Sequence, residues 1–144
     1  DARFSAVGKT YCYRIYVSPV RKPLLDVTHL QVYKPLDVQA MQAAANLLVG
    51  THDFGAFQNA GSNLKGTIRT VTRFEVAANN DGTIYFWVDG NAFLYNQVRN
   101  MCGFLVEVGK GKYTPDQAQR LLDGERLTFK TLPARGLTLE KVYY

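Results

Sequence analysis

Aromatic and β-branched residues are concentrated in separate segments of the chain, and in the longest segments they alternate with polar residues. This period of two is typical of β-strands that bury at least one face. In TYCYRIYVS, for example, Tyr11, Tyr13 and Ile15 fall on one face, whereas Cys12 and Arg14 fall on the other. Strands are therefore predicted over residues 10–18, 29–35, 67–78, 83–90 and 137–144.

Helical spacing of apolar residues replaces this alternation elsewhere in the chain. Asp37 can cap a helix whose apolar residues share one side and which stops at Gly50. A long helix is predicted from about Ala92 to Val108. A short helix is predicted over 115–124, with a capping hydroxyl at Thr114 and a proline at its first position.

Turn signals and the order of the elements indicate the fold class. The Asp81–Gly82 pair predicts a hairpin between the strands at 67–78 and 83–90. The polar, glycine-bearing segment from Thr51 to Lys65 is predicted as a loop. Strands that pair as hairpins, mixed with helices, indicate an α+β fold with a mostly antiparallel sheet and helices packed on one face. Without linkers or repeats, residues 1–144 are predicted to form a single domain.

Composition and charge narrow the expected partners. No apolar run approaches the roughly 20 residues that span a membrane, so we expect a soluble protein without membrane contact. Cys12 and Cys102 lack metal-ligand spacing and are interpreted as reduced core thiols, in keeping with an intracellular compartment. The net charge of +5 favours a polyanionic partner. Tyrosines and phenylalanines beside basic residues could stack on unpaired bases, which favours nucleic acid, although most of these aromatics are expected in the core.

Arg99 is the first candidate functional residue, because it is a single arginine in the otherwise apolar helix segment NAFLYNQVRNMCGFLVEVG. A buried guanidinium is costly to desolvate, and a sequence that keeps one is expected to supply a carboxylate or phosphate partner. The chain shows no glycine-rich phosphate loop, metal-binding cluster or nucleophile elbow. His29 and His52 have no evident catalytic partner and are interpreted as hydrogen-bonding or surface residues.

Several segments follow one another in an order and spacing that together form a specific pattern. They are ARFSA (2–6), KTYCYRIY (9–16), GTHDFGAF (50–57), TIRTV (67–71), NAFLYNQVRNMCGFLVEVG (91–109) and PARGLTLEKVYY (133–144). This set resembles the carboxy-terminal half of the TruA family of tRNA pseudouridine synthases and covers essentially the whole chain. Before the helix arginine the chain reads NAFLYNQV, where many members of that family have a histidine and a methionine close to the arginine.

The resemblance implies an isomerase that converts uridine to pseudouridine in the anticodon stem-loop of tRNA, as a homodimer and without a cofactor or a metal. Members of the family detach uracil from its ribose, rotate it and rejoin it through a ring carbon. Their catalytic aspartate lies in an amino-terminal motif of the type G-R-T-D-x-G-V-H-A, which is absent here.

We therefore expect a piece of a longer enzyme, inactive by itself, which works with the amino-terminal half of that enzyme. The structured approach to the first strand at Arg3 and Phe4 also suggests a piece cut from a longer protein. The expected location is the bacterial cytoplasm or an organelle. The alternative is a non-catalytic RNA-binding module derived from this family.

Three residues take their predicted roles from the resemblance. Tyr11 matches the active-site tyrosine, which stacks on the target base and is the proposed proton acceptor of the last step. A nearby cation such as an arginine would lower its pKa from about 10. Arg99 matches the arginine that pairs with the catalytic aspartate, so its guanidinium is expected to face an open cleft or a substitute anion or water. Leu137 matches an apolar position that lines the base pocket.

Basic residues are the predicted contacts to RNA. A uridine in a stem-loop must be unstacked before its glycosidic bond can be reached, at a cost of about a few kcal/mol. Cations that hold the flanking phosphates offset this cost. The candidates are Lys9, Arg14, Lys65, Arg69 and Lys110, of which Lys9, Arg14 and Arg69 are the predicted substrate-binding residues.

Overall fold

The computed structural model describes residues 7–58 and 66–144, which form six strands and three helices. The strands are β1 (Gly8–Val17), β2 (Leu30–Val32), β3 (Gly50–Asp53), β4 (Ile68–Ala78), β5 (Thr83–Gly90) and β6 (Leu137–Tyr143). The helices are α1 (Val38–Leu48), α2 (Gln97–Gly109) and α3 (Gln117–Leu122), and single 3₁₀ turns form at Gly55–Phe57 and Ala134–Gly136. The segment ARFSA, with Arg3 and Phe4, and the candidate Lys65 lie outside the described residues.

The strands form one mixed sheet in the order β2-β1-β5-β4-β3, and β6 also pairs with β1. β1 and β2 are parallel, whereas the other pairs are antiparallel. Since β5 follows one edge of β1 over most of its length, β6 and β2 share the other edge. β6 pairs with Gly8–Tyr13 and β2 pairs with Ile15–Val17. β1 is therefore flanked on both edges.

Helices α1 and α2 pack on one face of the sheet, which confirms the predicted α+β fold. Alternate residues of β1, β4 and β5 bury their side chains against these helices: Tyr13, Ile15, Phe74, Val76, Ile84, Phe86 and Val88. The two helices approach closely at Gly109, where an added Cβ would lie 2.8 Å from the Met41 sulfur. Burial of this apolar surface is the main stabilising contribution to the fold.

The opposite face of the sheet, here called the open face, carries charged and aromatic side chains that lie along the strands. The Arg14 guanidinium lies 5.4 Å from the ring centroid of Tyr85. The Arg73 guanidinium lies 5.9 Å from the ring centroid of Trp87. Arg14 also forms an ion pair with Glu140 at 2.6 Å. The open face is thus a layer of cations over aromatic rings, with carboxylates beside them.

Local sequence signals set the helix cap and the hairpin as predicted. The Ala40 backbone N–H donates to Asp37 Oδ1 at 3.0 Å, so Asp37 caps α1. The Thr83 backbone N–H donates to Asp81 Oδ1 at 3.1 Å in the turn between β4 and β5. Gly82 completes this turn with a φ of 86°, a left-handed conformation that favours glycine.

The cysteine prediction is also confirmed, because Cys12 and Cys102 are both free and buried. Burial raises the pKa of the Cys12 thiol to about 11, so the thiol stays protonated and unreactive. None of the helices in the described part of the chain is long and apolar enough to cross a membrane.

The predicted start of the long helix at about Ala92 is wrong, because α2 begins at Gln97. Asn96 adopts a left-handed conformation, with φ 61° and ψ 11°, which does not occur within a right-handed α-helix. The Leu94 backbone N–H donates to the Gln97 side-chain oxygen at 2.8 Å. This side-chain contact replaces the backbone ladder that a continuous helix would form.

The predicted loop from Thr51 to Lys65 is wrong at its start, because Gly50–Asp53 forms β3 at the edge of β4. The long β4 offers an unpaired edge, and β3 satisfies its backbone groups there. Phe57 follows in a 3₁₀ turn and is fully buried. A polar and glycine-bearing composition does not reveal such an edge strand.

The short helix also starts later than predicted, at Gln117. The Thr114 hydroxyl does not cap a helix N–H. Instead, the backbone N–H of Thr114 donates to the Gln117 side-chain oxygen at 2.8 Å. Pro115 therefore lies in the turn that precedes α3.

Candidate active site

Arg99 lies in the first turns of α2, and its guanidinium is half-buried. Its Nε–H donates to the Leu132 carbonyl oxygen at 2.6 Å. Its Nη1 donates to the Asn96 side-chain oxygen at 2.9 Å. Among residues 7–58 and 66–144, no carboxylate oxygen lies within 4.0 Å of its nitrogens. The cation is thus held by neutral acceptors, and the predicted carboxylate partner is not among the described residues.

The Leu132 carbonyl belongs to residues 128–136, here called the strap, an irregular segment that packs on α2 and ends in the 3₁₀ turn Ala134–Gly136. The strap passes so close to α2 that a Cβ on Gly103 would collide with the Lys130 carbonyl oxygen. The Leu132 backbone N–H donates to the Arg99 carbonyl oxygen at 3.4 Å. Because the strap is fixed on the helix in this way, the acceptor for Arg99 has a defined position.

Tyr13 fixes the same strap from the sheet. Its hydroxyl donates to the Pro133 carbonyl oxygen at 2.6 Å. Its ring lies where Gly136 has no side chain, since an added Cβ there would approach the ring to 2.6 Å. Burial raises the pKa of the Tyr13 phenol, although the nearby cations Arg99 and Arg135 act to lower it. Tyr13 is therefore a neutral structural donor and places β1, the strap and Arg99 next to one another.

Tyr11 precedes Tyr13 by two residues and lies on the same face of β1. It is half-buried, and its ring meets the Phe93 ring edge-on with a centroid distance of 5.3 Å. Burial raises the pKa of its phenol above its ordinary value, and no cation acts on it from the described residues. The cation that would lower this pKa is thus not supplied by the described residues, and the charges of Arg99 and Arg135 act on Tyr13 instead.

Phe93 is a site residue that the sequence reasoning missed, because it was placed inside the predicted helix. Its ring packs over Gly90, where an added Cβ would lie 2.8 Å from the ring. Gly90 thereby allows Phe93 to reach Tyr11. The motif NAF carried the only signal, since it directly follows β5 and places its phenylalanine three residues after the strand.

Leu137 begins β6 and pairs in register with Tyr13. It is half-buried and packs against the core. The residue that pairs with Tyr11 is Leu139, which is 48% exposed. Leu139 was also missed. The two leucines follow Tyr11 and Tyr13 on the same face of the sheet, so the apolar side of the candidate site is wider than predicted.

The three predicted substrate-binding cations do not share one surface. Lys9 lies two residues before Tyr11 on the same face of β1 and is half-buried. Arg14 lies on the open face, where it donates to Thr138 Oγ1 and to Glu140, each at 2.6 Å. Of the three, Lys9 is thus the one that β1 carries on the face of Tyr11.

Arg69 lies in β4, opposite His52 in β3. Its Nη1 donates to the Gly66 and Ile68 carbonyl oxygens at 2.9 and 2.8 Å. Its Nε is buried without an acceptor. Because β5 separates β4 from β1, Arg69 is held at the far side of the sheet from Arg14 and Lys9.

The best-formed cavity, of about 750 Å³, lies between β2, the carboxy-terminal part of α2 and the strap. The candidate cation Lys110 lines it together with Lys34, Lys130 and Glu107. Neither Tyr11, Arg99 nor Leu137 lines this cavity, although Leu132 of the strap does. This cavity and the residues predicted to carry the chemistry are therefore separate.

No set of three His, Cys, Asp or Glu side chains in the described ranges 7–58 and 66–144 is placed to hold a metal ion. The candidate site consists of a half-buried arginine with unused N–H donors, Arg99, two aromatic rings, Tyr11 and Phe93, and two leucines, Leu137 and Leu139. A guanidinium has five N–H donors in a fixed fork, and Arg99 uses two of them in the hydrogen bonds described above. The remaining three can bind a carboxylate through two parallel hydrogen bonds.

A family model described as tRNA pseudouridine synthase matches residues 44–144. The chain is 45% identical to the tRNA pseudouridine synthase A of Syntrophotalea carbinolica, over 99% of this chain and 57% of that protein. It is 40% identical to the enzyme of the same name from Myxococcus xanthus, over 100% of this chain and 55% of that protein. It is 38% identical to the one from Staphylococcus aureus strain MRSA252, over 98% of this chain and 54% of that protein. The chain thus spans about half the length of the curated relatives it matches.

Proposed function

The chain belongs to the tRNA pseudouridine synthase family, and on that premise we propose that it is the part of such an enzyme that supplies Arg99 and Tyr11 to the active site. The reaction would isomerise uridine in tRNA to pseudouridine. The observation that carries the proposal is the state of Arg99: half-buried, held by two neutral acceptors and without a carboxylate among the described residues.

The cost of burying a charge explains why this observation points to a missing partner. A guanidinium taken out of water without an anion loses hydration that neutral acceptors only partly replace. The strap and Asn96 orient the fork but leave its charge uncompensated. A carboxylate supplied by the amino-terminal half of the enzyme would compensate it and would be held in one orientation by the fork. In this proposal that carboxylate is the catalytic aspartate.

The reaction itself conserves atoms, since uridine and pseudouridine are isomers. The bond from the ribose C1′ to N1 of uracil breaks, and a bond from C1′ to C5 forms. C5 then loses a proton, and N1 gains one. The group that accepts the C5 proton must be basic at that moment, and general bases work best when their pKa lies near the operating pH.

Tyr11 can serve this reaction in two ways, and the structure supports them unequally. Its ring lies half-buried against Phe93 and beside Leu139, which suits contact with a flat uracil base. Its raised pKa keeps the phenol neutral at neutral pH, so proton acceptance would require a lowering influence from the rest of the enzyme. We therefore propose base contact as the role of Tyr11 that this chain provides by itself.

RNA contact in this proposal begins at Lys9, which lies on the same face of β1 as Tyr11. A target uridine must leave its stack to reach Tyr11, and a lysine beside the site can hold a flanking phosphate. Arg14 is already neutralised by Glu140 and lies on the open face, so it supports this role less well. That the RNA is an anticodon stem-loop and that the enzyme is a homodimer rest on the resemblance to the family.

The test is tritium release from tRNA labelled at C5 of uracil, measured with the full-length protein. The C5 proton is lost only when C1′ has bonded to C5, so release reports the complete rearrangement. We expect release by the wild type and strong loss in Arg99→Ala. The control Arg120→Ala removes an exposed arginine of α3 and should release tritium at the wild-type rate.

Two outcomes would contradict the proposal. Full release by Arg99→Ala would remove Arg99 from the site. Binding of tRNA by the wild type without any release would favour the non-catalytic RNA-binding module. In Tyr11→Phe the ring stays and the hydroxyl is lost, so retained tRNA binding with lost release would assign the phenol to the chemistry rather than to base contact alone.

A further inference from the structure

We propose that Asn96 is a positioning residue that orients Arg99 for its carboxylate partner. The inference rests on the proposed function of Arg99. Asn96 immediately precedes α2 and is the one non-glycine residue with a positive φ among residues 7–58 and 66–144, at 61°. Its side-chain oxygen accepts a hydrogen bond from Arg99 Nη1 at 2.9 Å.

The first argument is the backbone conformation of Asn96. Left-handed geometry is unfavourable for residues with a Cβ, and asparagine is one of the few that adopt it. Such outliers persist where the surrounding structure fixes them, and they are frequent at functional sites. In this chain the residue with the unfavourable φ, Asn96, is also the residue that accepts a hydrogen bond from Arg99.

The second argument is that the Asn96 side chain does not cap α2. A residue at the start of a helix usually accepts a hydrogen bond from a backbone N–H of the first turn, and asparagine is among the best at this. Asn96 makes no such capping bond. The Asn100 backbone N–H instead donates to the Asn96 carbonyl oxygen at 2.9 Å. The side-chain oxygen is thus directed to Arg99 rather than to stabilising the helix end.

The third argument is the geometry at the guanidinium. The Leu132 carbonyl oxygen accepts from Nε at 2.6 Å, while Asn96 accepts from Nη1. Two acceptors on different atoms of a planar fork fix both its position and its rotation. An amide oxygen does this without neutralising the charge, whereas a carboxylate at the same place would pair with Arg99 and compete with the catalytic one.

The test uses the full-length enzyme with the variant Asn96→Gly. Glycine adopts a positive φ freely, so the backbone is kept and only the acceptor is lost. Because a hydrogen bond to a charged group is removed, we expect kcat for tritium release to fall about tenfold, with KM for tRNA within about twofold of wild type. The matched control is Asn80→Gly in the exposed β4–β5 turn, which should leave both constants unchanged.

A second measurement separates positioning from a general structural role. In the background of Arg99→Lys, which lacks the fork, Asn96→Gly should lower kcat by less than about twofold, because coupled residues show non-additive effects. An equal loss in both backgrounds would overturn the proposal. So would an Asn96→Gly enzyme with wild-type kcat.

A third readout does not depend on activity. Asn96 accepts from Nη1, so the Nη–H protons of Arg99, observed by NMR in the full-length protein without tRNA, should exchange faster with solvent in Asn96→Gly than in wild type or Asn80→Gly. Unchanged exchange would overturn the positioning role. If exchange is faster in Asn96→Gly but the wild-type enzyme releases no tritium from tRNA, the positioning role is supported and the proposed function is contradicted.

Discussion

Arg99 in α2 and Arg14 in β1 are two cations that the fold holds in different ways. Arg14 lies on the open face, where Glu140 at 2.6 Å neutralises it and the Tyr85 ring lies beneath it. Arg99 lies on the helix-covered side, where a backbone carbonyl and an amide hold it without neutralising it. Sequence reasoning assigned a functional role to both arginines.

The difference teaches that an arginine is a candidate for function when its own chain orients it and leaves its charge available. A neutralised, partly exposed arginine contributes at most about 1 kcal/mol through its ion pair. An oriented and uncompensated one retains binding capacity for an anion supplied from elsewhere.

The largest expected effect is on catalysis. In the full-length enzyme Arg99→Ala should lower kcat by about 10²–10³-fold, the cost of removing one preorganised electrostatic contact. Arg14→Ala should lower kcat by no more than about fivefold, since it removes only a surface ion pair. Single-turnover tritium release measures both variants. Equal losses of kcat in the two variants would contradict the proposed difference between the two arginines.

The next effect tests the strap that holds Arg99. Gly103→Ala would place a methyl group in collision with the Lys130 carbonyl oxygen, so the strap must move. We expect the free energy of unfolding to fall by about 1–3 kcal/mol, as for overpacked cores. Urea denaturation measures it, with Gln119→Ala on the exposed side of α3 as the control. Unchanged stability would show that the strap is not fixed by this contact.

A smaller effect compares a tyrosine on each face. Tyr13→Phe removes the donor to the Pro133 carbonyl at 2.6 Å, and Tyr16→Phe removes the donor to Asp26 at 2.7 Å. Tyr13→Phe should lower the free energy of unfolding by about 1 kcal/mol, the usual value for one hydrogen bond. Tyr16→Phe should lower it by about 2 kcal/mol, because the Tyr16 hydroxyl also accepts from the Lys22 backbone N–H at 3.1 Å. Only Tyr13→Phe should also lower kcat, because only Pro133 belongs to the strap. Loss of activity in Tyr16→Phe would contradict this separation.

The smallest effect is the pH dependence of stability from His29, which is 7% exposed and lies 5.9 Å from the Tyr85 ring. Burial and then Arg14 lower its pKa, while a hydrogen bond to the Leu25 backbone and the charge of Asp81 act to raise it. The unfolded state therefore binds a proton first, below a pH of about 6.5, and stability falls as the pH drops through the lowered folded value.

The variant His29→Gln should flatten the part of the pH profile of the melting temperature that lies below about pH 6.5. His52→Gln is the control, since His52 lies at the edge strand β3. A profile of unchanged slope in His29→Gln would assign the pH dependence to other groups.

Much of the fold could be predicted from the sequence, because its signals are local. The β4–β5 hairpin follows from Asp81 and Gly82, and the start of α1 follows from Asp37. β3 could not be predicted from composition, because its stability comes from the free edge of β4. The start of α2 could not be predicted either, since the Gln97 side chain ends the irregular segment before it.

The candidate site could be predicted in part. Tyr11, Arg99 and Leu137 were proposed from motifs, and the structure places Arg99 and Leu137 around Tyr13, next to Tyr11 on β1. Phe93, Leu139 and Asn96 were missed, because their relevance depends on which residue each one meets. No periodicity reports that Asn96 turns its oxygen to Arg99 rather than to the helix end.

The sequence by itself determined the family, the strand and helix pattern and the presence of one arginine in an apolar helix, because these follow from neighbouring residues and short motifs. Only the tertiary structure decided what each charge meets. The Arg99 partner in the strap is 33 residues away, and the Arg14 partner in β6 is 126 residues away. Such contacts form only when the sheet and α2 have packed, so the difference between a neutralised and an available cation is a property of the fold.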